Sequence, residues 1–432
     1  MMERRRFLGM AATGLAGATG MTALSGCGDG SGSGKVTLKL VAADYGDPGG
    51  NNSSQTYWES LADAFTKKNP DISVDVAVHS WSEVDKKVAD MVAADEPPDV
   101  AQIGAYADYA SQGRLYKVSE LLSIPVQADF LVRLAEAGEV QRVQYGLPFV
   151  SSTRLLFYNK NLFSDAGLDP ESPPETWEEL KAAALALKKA GVEIPYGLPL
   201  GPEEAPAETM MWMLSGGGSY VDNVGNYTIN SAANVRTFTW IRDNLVTPGF
   251  TGTNPARTDR QELFDAFGRG DVGMLNGHPT LMQQAERRSV SYGTGKIPGK
   301  GGPSESNLGV ADWMMAFRAN GNREQAGKFL DFVYRETNHY AFASRYDLMP
   351  VTTSATTRMR EDRRHKKLWR FLDQLDTAQF YPVGKVSWAG TSAAIKKNVG
   401  EAVTRGGDPK SVLNGLQRKA EAEEKATSSP SK

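Results

Sequence analysis

Between Val36 and Ile103 the hydrophobic period changes four times, and that alternation restricts the fold more than any other feature of the chain. Val36, Leu38 and Leu40 alternate with polar residues, as in a strand with one buried face. Trp58, Leu61, Ala62 and Phe65 then recur at helical spacing until Asn69-Pro70 stops them. Ile72, Val74, Val76 and Val78 alternate again and end at Ser80-Trp81. Val84, Val88, Met91 and Val92 form a second helical stripe, which Ser82 can cap, and Pro97-Pro98-Asp99 introduces a third strand, Val100 to Ile103. Strand, helix, strand, helix, strand implies an α/β fold with a mostly parallel sheet flanked by helices. In such sheets ligands gather beyond the C-terminal ends of the strands.

The chain changes halves within Tyr145 to Lys160, YGLPFVSSTRLLFYNK. Gly146 and Pro148 interrupt any helix. The polar string Ser151-Ser152-Thr153-Arg154 then leads into the β-favouring run Leu155 to Tyr158. In the second half Thr176 and Glu179 fit a capping box ahead of Leu180, Ala184 and Leu187. Val235, Phe238, Ile241 and Leu245 predict another helix, and Thr258 with Gln261 caps the one carrying Leu263, Phe264 and Phe267. A strand from Val272 to Leu275 runs into Asn276-Gly277-His278, and the glycines of Gly293 to Gly302 mark a loop. Leu308 to Arg318, with Asp312 and Trp313, reads as the return crossing. Helical stripes follow at Ala326 to Val333 and Leu368 to Leu375, and the polar tail from Glu421 to Lys432 is expected to fray.

With 432 residues, 40% of them hydrophobic, there is material for two cores. A net charge of -3 gives no electrostatic case for nucleic acid. The only long apolar segment lies at the start, which excludes a multi-span membrane protein. Arg4-Arg5-Arg6-Phe7-Leu8, a Gly- and Ala-rich stretch and Leu24-Ser25-Gly26-Cys27 resemble a twin-arginine signal running into a lipoprotein box, with Glu3 and Gly9 departing from its usual flanks. Residues 1–26 are read as signal peptide, and residues 27–34 as a lipid-bearing Cys27 and flexible tether. Cys27 is the sole cysteine, so no internal disulfide exists. Gly268-Arg269-Gly270-Asp271-Val272-Gly273 spells a dinucleotide pattern but follows a helix and precedes a strand, the reverse of what phosphate binding needs. The four histidines lack metal-ligand spacing, so neither metal nor cofactor is expected.

Several words in order carry a resemblance. They are Pro98-Asp99-Val100, Gly113-Arg114-Leu115, Tyr145-Gly146-Leu147-Pro148 and Phe157-Tyr158-Asn159-Lys160-Asn161-Leu162-Phe163, then Pro174-Glu175-Thr176-Trp177-Glu178-Glu179-Leu180, Phe267-Gly268-Arg269-Gly270 and Leu348-Met349-Pro350. With them the chain resembles a family 1 extracellular solute-binding protein, the sugar-binding lipoprotein of a bacterial ABC importer. The resemblance implies a two-lobed periplasmic-binding-protein-like fold with a hinge of several crossing segments. Lobe one would be residues 35–148 plus 309–350, and lobe two 149–308 plus 351–432. It also implies a monomer anchored to the outer face of the cell membrane by lipid on Cys27, with a sugar and the importer's permease subunits as partners.

A sugar offers hydroxyls on its edges and apolar C–H patches on its faces, so its site needs aromatic platforms ringed by short polar groups. Tyr45, Trp81, Tyr106, Trp313 and Tyr346 stand at strand ends or crossings, and Trp212 and Trp388 are further aromatic candidates; the competing role for each is core packing. Asp44, Asp47, Asp108, Asp312 and Asp347 share those loops and can each accept two hydroxyls, unless they are solvated or spent on helix caps. Thr153 and Arg154 follow the first crossing, and Asn276 and His278 the Val272 strand. The same aspartates leave open a secreted glycoside-active enzyme, which needs two carboxyl groups facing one bond, and a receptor for a polyol or small cation.

Overall fold

The computed structural model describes residues 35–46 and 52–428. Its strands are β1 Val36–Ala43, β2 Ile72–His79, β3 Val100–Ile103, β4 Glu139–Val140, β5 Val143–Gln144, β6 Leu147–Ser152, β7 Leu155–Asn159, β8 Ile194–Gly197, β9 Val272–Gly277, β10 Tyr292–Gly295, β11 Asn307–Leu308, β12 Val310–Ala316 and β13 Ala378–Gln379. Five of them form a first sheet in the order β2-β1-β3-β12-β6, and four a second in the order β10-β7-β9-β8. β4/β5 and β11/β13 are separate two-stranded pairs.

The expected α/β architecture is present, with four of the five strands of the first sheet and three of the four in the second pointing the same way, and one reversed strand in each, β12 and β7. Strand-helix-strand connections make β1 parallel to β2 and β3, and β8 is parallel to β9. β12 runs antiparallel to both β3 and β6, and β7 antiparallel to both β9 and β10. The cause is the crossing itself. The chain leaves the first sheet along β6 and returns along β12, so β12 must run opposite to the strands that point at the junction. Only Thr153 and Arg154 separate β6 from β7, and only Gly309 separates β11 from β12. The C-terminal ends of β1, β3, β6, β8 and β9 therefore point toward one set of crossings.

Both sheets are covered on both faces. In β1, Leu38, Leu40 and Ala42 enter one core with Trp58, Phe65 and Phe329, while Val41 and Ala43 enter another with Val84, Val88 and Trp313. In β7, Leu155 and Phe157 pack with Leu263 and Phe267, and Leu156 and Tyr158 with Leu180 and Met274. Period-two side chains between two helical layers explain why this strand is apolar throughout. Across from it, Gly293 of β10 faces the Tyr158 ring, where an added Cβ would lie 2.2 Å from a ring carbon. That stretch of the expected glycine loop is thus strand, and its glycine makes room for the ring.

Local signals held where a side chain could complete its bond. Thr176 and Glu179 form both bonds of the capping box of the helix Trp177–Lys189. The helix Val84–Ala93 instead starts after Glu83 with no side-chain cap, and Ser82 meets Ser80. Thr258 does not cap the helix Arg260–Arg269: Asp259 holds that position, and Gln261 donates its backbone N–H to Glu203 at 2.9 Å. Nor is Glu421 to Ser428 frayed. It completes the helix Pro409–Ser428, held by buried Leu413, Leu416 and Ala420.

Candidate functional site

At the crossing end of the first sheet the polar groups form a relay. The Ala43 amide donates to Gln102 Oε1 at 2.9 Å, Gln102 Nε2 donates to the Tyr45 hydroxyl at 2.8 Å, and that hydroxyl donates to Asp312 Oδ2 at 2.8 Å. Gln102 is wholly buried on β3, so each of its partners is fixed by the sheet. Asp312 sits beside a register shift between β12 and β6, the kind of irregularity that re-aims a side chain. Burial pushes its carboxyl up to about 6, the nearby Asp85 charge adds to the shift, and the Tyr45 bond opposes it. Asp85 accepts the Gly104 amide at 3.0 Å, and burial raises both it and Asp108 above the usual carboxylate range. Trp81 stands 38% exposed with its ring edge-on to Tyr45, the centroids 5.4 Å apart. Among the described residues no salt bridge reaches Asp85, Asp108 or Asp312.

The crossing end of the second sheet carries a charge network. Arg154 is buried and reaches Glu204 at 2.6 Å and the Ser152 hydroxyl, at the end of β6, at 3.0 Å. Arg260 bonds Glu204 at 2.5 Å and also Glu203. Burial alone would raise Glu204, but the charges of Arg154 and Arg260 hold it below the ordinary range. His278 is pushed down to about 3 by burial and by Arg154, so its ring is neutral at neutral pH. Glu208 lies in the apolar helix Ala205–Ser215. Its Oε1 accepts Trp212 Nε1 at 2.9 Å, Asn276 Nδ2 at 3.2 Å and the Tyr196 hydroxyl at 3.3 Å, yet burial still drives it up to about 8. Asn276 Oδ1 is buried without a partner, beside a pocket of about 10 Å³ lined by Arg154, Glu204, Glu208 and His278.

Ser152, which accepts from Arg154, pairs with Val310 on the strand that carries Asp312, and the crossings there are tied together. Asn307 accepts the Arg154 amide at 3.0 Å and donates to the Arg154 carbonyl at 2.7 Å. Ser151 and Met349 exchange backbone bonds at 2.9 and 3.2 Å. Val383 touches both the core around Trp388 and the core around Tyr106 and Trp313.

Of the residues singled out by sequence, Tyr45, Trp81 and Asp312 come together on the first cluster, and Arg154, Trp212, Asn276 and His278 on the second; Asp108, like Asp85, acts on Tyr109. The others are committed elsewhere. Asp44 accepts from Gly46, Ser53 and Ser54 and closes the loop before the helix Ser54–Lys68. Thr153 donates to the Phe371 carbonyl at 2.7 Å. Trp313 and Tyr106 are buried against one another, 5.1 Å between centroids, because Trp313 points to the face opposite Asp312. Trp388 is buried against Tyr381, Tyr346 packs on Phe342, and Asp347 accepts from Gln283 at 2.9 Å. Asp47 and Cys27 lie outside the described residues. Gln102, Asp85, Glu204, Glu208, Arg260 and Asn307 were not anticipated. Gln102 and Glu208 carried a signal, Gln102 as the lone polar residue of its strand and Glu208 as the lone charged residue of its mostly apolar helix.

Two mixed α/β layers joined by short crossings, with polar groups gathered where they meet, define a two-lobed binding protein. The chain belongs to the family of bacterial extracellular solute-binding proteins, whose model matches residues 49–339. This is a family of binding proteins rather than enzymes, and among the described residues no helix is long and apolar enough to cross a membrane. A binding protein of Brucella abortus (strain 2308) is 28% identical over 396 residues, covering 89% of this chain and 92% of that one. The sn-glycerol-3-phosphate-binding periplasmic protein UgpB of Escherichia coli (strain K12) is 26% identical over 51% of this chain and 52% of its own length. The crystal structure of the cyclic alpha-maltosyl-1,6-maltose binding protein from Arthrobacter globiformis superposes with a TM-score of 0.78 at 19% identity, over 91% of this chain and all of that one.

Proposed function

We propose that the chain is the receptor of an ABC importer for a mono- or oligosaccharide, which it captures between its lobes and delivers unaltered to the membrane permease. The observation that carries this reading is the convergence of hydrogen-bond acceptors and an exposed tryptophan on the crossings between two separately cored sheets. Tyr45, Trp81, Asp108 and Asp312 would contact the ligand from lobe one, and Arg154, Asn276 and His278 from lobe two. Lobe one takes residues 35–152 and 309–350 and lobe two residues 153–308 and 351–432, the exit from lobe one lying at the end of β6 and not at residue 148, since Ser151 and Ser152 still pair with β12. The Arthrobacter globiformis protein of the same fold is named for a cyclic maltosyl-maltose ligand, which supports a carbohydrate here. We further propose that the twin-arginine signal exports a monomer that stays tethered by lipid on Cys27. Phase partition of the full-length chain into detergent, abolished in Cys27→Ser, checks that anchor.

A ligand bound only by the folded form raises the melting point by mass action. Thermal-shift screening across mono- and oligosaccharides is expected to find one that does so by several degrees. If no carbohydrate moves the transition, or if one is cleaved, the receptor reading falls.

A further inference from the structure

We infer that the cleft selects sugars bearing no anionic group, because its first wall offers carboxylates that lack a cation partner while the guanidinium groups of Arg154 and Arg260 on its second wall are already engaged by carboxylates. This deepens the sugar-receptor reading and rests on it. At the first wall Asp85, Asp108 and Asp312 have no cation partner among the described residues, and each holds at most one of the hydrogen bonds named above. A carboxylate has room for about four. Arg114, the cation that acts on neighbouring Tyr109, is bonded through Nε to Gln112.

At the second wall the cations that could meet a phosphate are Arg154 and Arg260. Arg154 spends its guanidinium on Glu204 and Ser152, and Arg260 on Glu203 and Glu204. His278 adds no charge while its ring is neutral. An independent observation points the same way: Asn276 lines the pocket it shares with Arg154 and Glu208 at 5% exposure, and its Oδ1 is a buried acceptor without a donor. Such a group gains from a hydroxyl and gains nothing from a deprotonated phosphate oxygen.

A sugar hydroxyl donates and accepts, so it can satisfy these groups in either lobe. A phosphate monoester carries about −1.5 to −2 charge at neutral pH, and it would have to displace Glu203 or Glu204 from the arginines while approaching three carboxylates. Like charges brought together at an interface cost enough to reduce affinity on the order of a hundredfold. On this reading the chain differs in ligand class from its glycerol-phosphate-binding relative, with which it shares half its length.

The test is a calorimetric titration of the purified protein with matched pairs: glucose and glucose 6-phosphate, glucose and glucuronate, maltose and its phosphate, glycerol and glycerol 3-phosphate. The expected result is an uncharged member that binds, with its anionic counterpart at least about tenfold weaker. The gap should narrow at high salt, where charge repulsion is screened, and in Asp85→Asn/Asp108→Asn. An anionic member that binds as tightly as its neutral parent overturns the inference and leaves the receptor reading standing. So does a gap that salt leaves unchanged, a readout that needs no variant to fold. If no member of the panel binds, and wider carbohydrate screening also fails, the receptor reading itself falls and takes this inference with it.

Discussion

Glu208 shows how much one buried side chain can dictate. It is the only charged residue of the helix Ala205–Ser215, and its carboxyl is satisfied on one oxygen by three donors. Those bonds favour the charged form, but burial outweighs them and its pKa stands at about 8 against an ordinary 4.5. Between those values the folded state binds more protons than the unfolded one, so stability falls as pH rises through the window and is level outside it. Glu208→Gln keeps the acceptor and removes the titration. The variant should gain on the wild type from pH 4.5 to 8, by up to a few kcal/mol at about 1.4 kcal/mol per pKa unit. Denaturant unfolding across that range measures the difference, and parallel curves would show that Glu208 ionises freely. Single residues were also where sequence reading reached least far. Asp312 and Trp313 are neighbours in the chain and looked equally suited to the site, yet a strand sends adjacent side chains to opposite faces. Which face is the cleft depends on the register of β12 with β3 and β6, which period alone does not reveal. Asp44 failed for a different reason: a carboxylate before a helix can serve the loop or a ligand, and here the Ser53 and Ser54 groups claim it.

Elements were more legible, because period and caps are local. The helix Ser54–Lys68 follows from Trp58, Leu61, Ala62 and Phe65 and ends at Asn69, as its stop residues require. β7 could be read from Leu155 to Tyr158 because a strand buried on both faces has no polar alternation. Pairing direction was not legible. β12 has the composition of a central parallel strand, and only its place after the return crossing makes it antiparallel to both neighbours. The C-terminal helix was missed because its surface is so polar; the stripe of Leu413, Leu416 and Ala420, each buried, holds it down. Its last turns, from Glu421 onward, add charged residues that propagate a helix already nucleated, and propagation costs far less than nucleation.

At the scale of the whole molecule, the short crossings confine any relative motion to a few residues. Asn307 pairs with both backbone groups of Arg154, and Ser151 with both of Met349, so three crossing segments are fastened edge to edge. Fastened strands bend together and do not slide, which suits rotation of two rigid cores about one axis better than shear. A guest that touches both cores meets its full set of partners only after that rotation, and its differential affinity for the closed form sets how far the population moves. Moving an equilibrium from one part in a hundred closed to one part open in a hundred takes about 5.5 kcal/mol of such preference. A sugar that donates to Asp312 on one core and Asn276 on the other has a route to that preference which a ligand held by a single core lacks. Small-angle scattering of the protein should therefore show a smaller radius of gyration when it is saturated with a binding sugar. In Asp312→Ala the contraction should be lost or require far more ligand, even where calorimetry still detects binding. Equal dimensions with and without a saturating ligand would mean that the two cores do not move and that recognition occurs on a preformed surface.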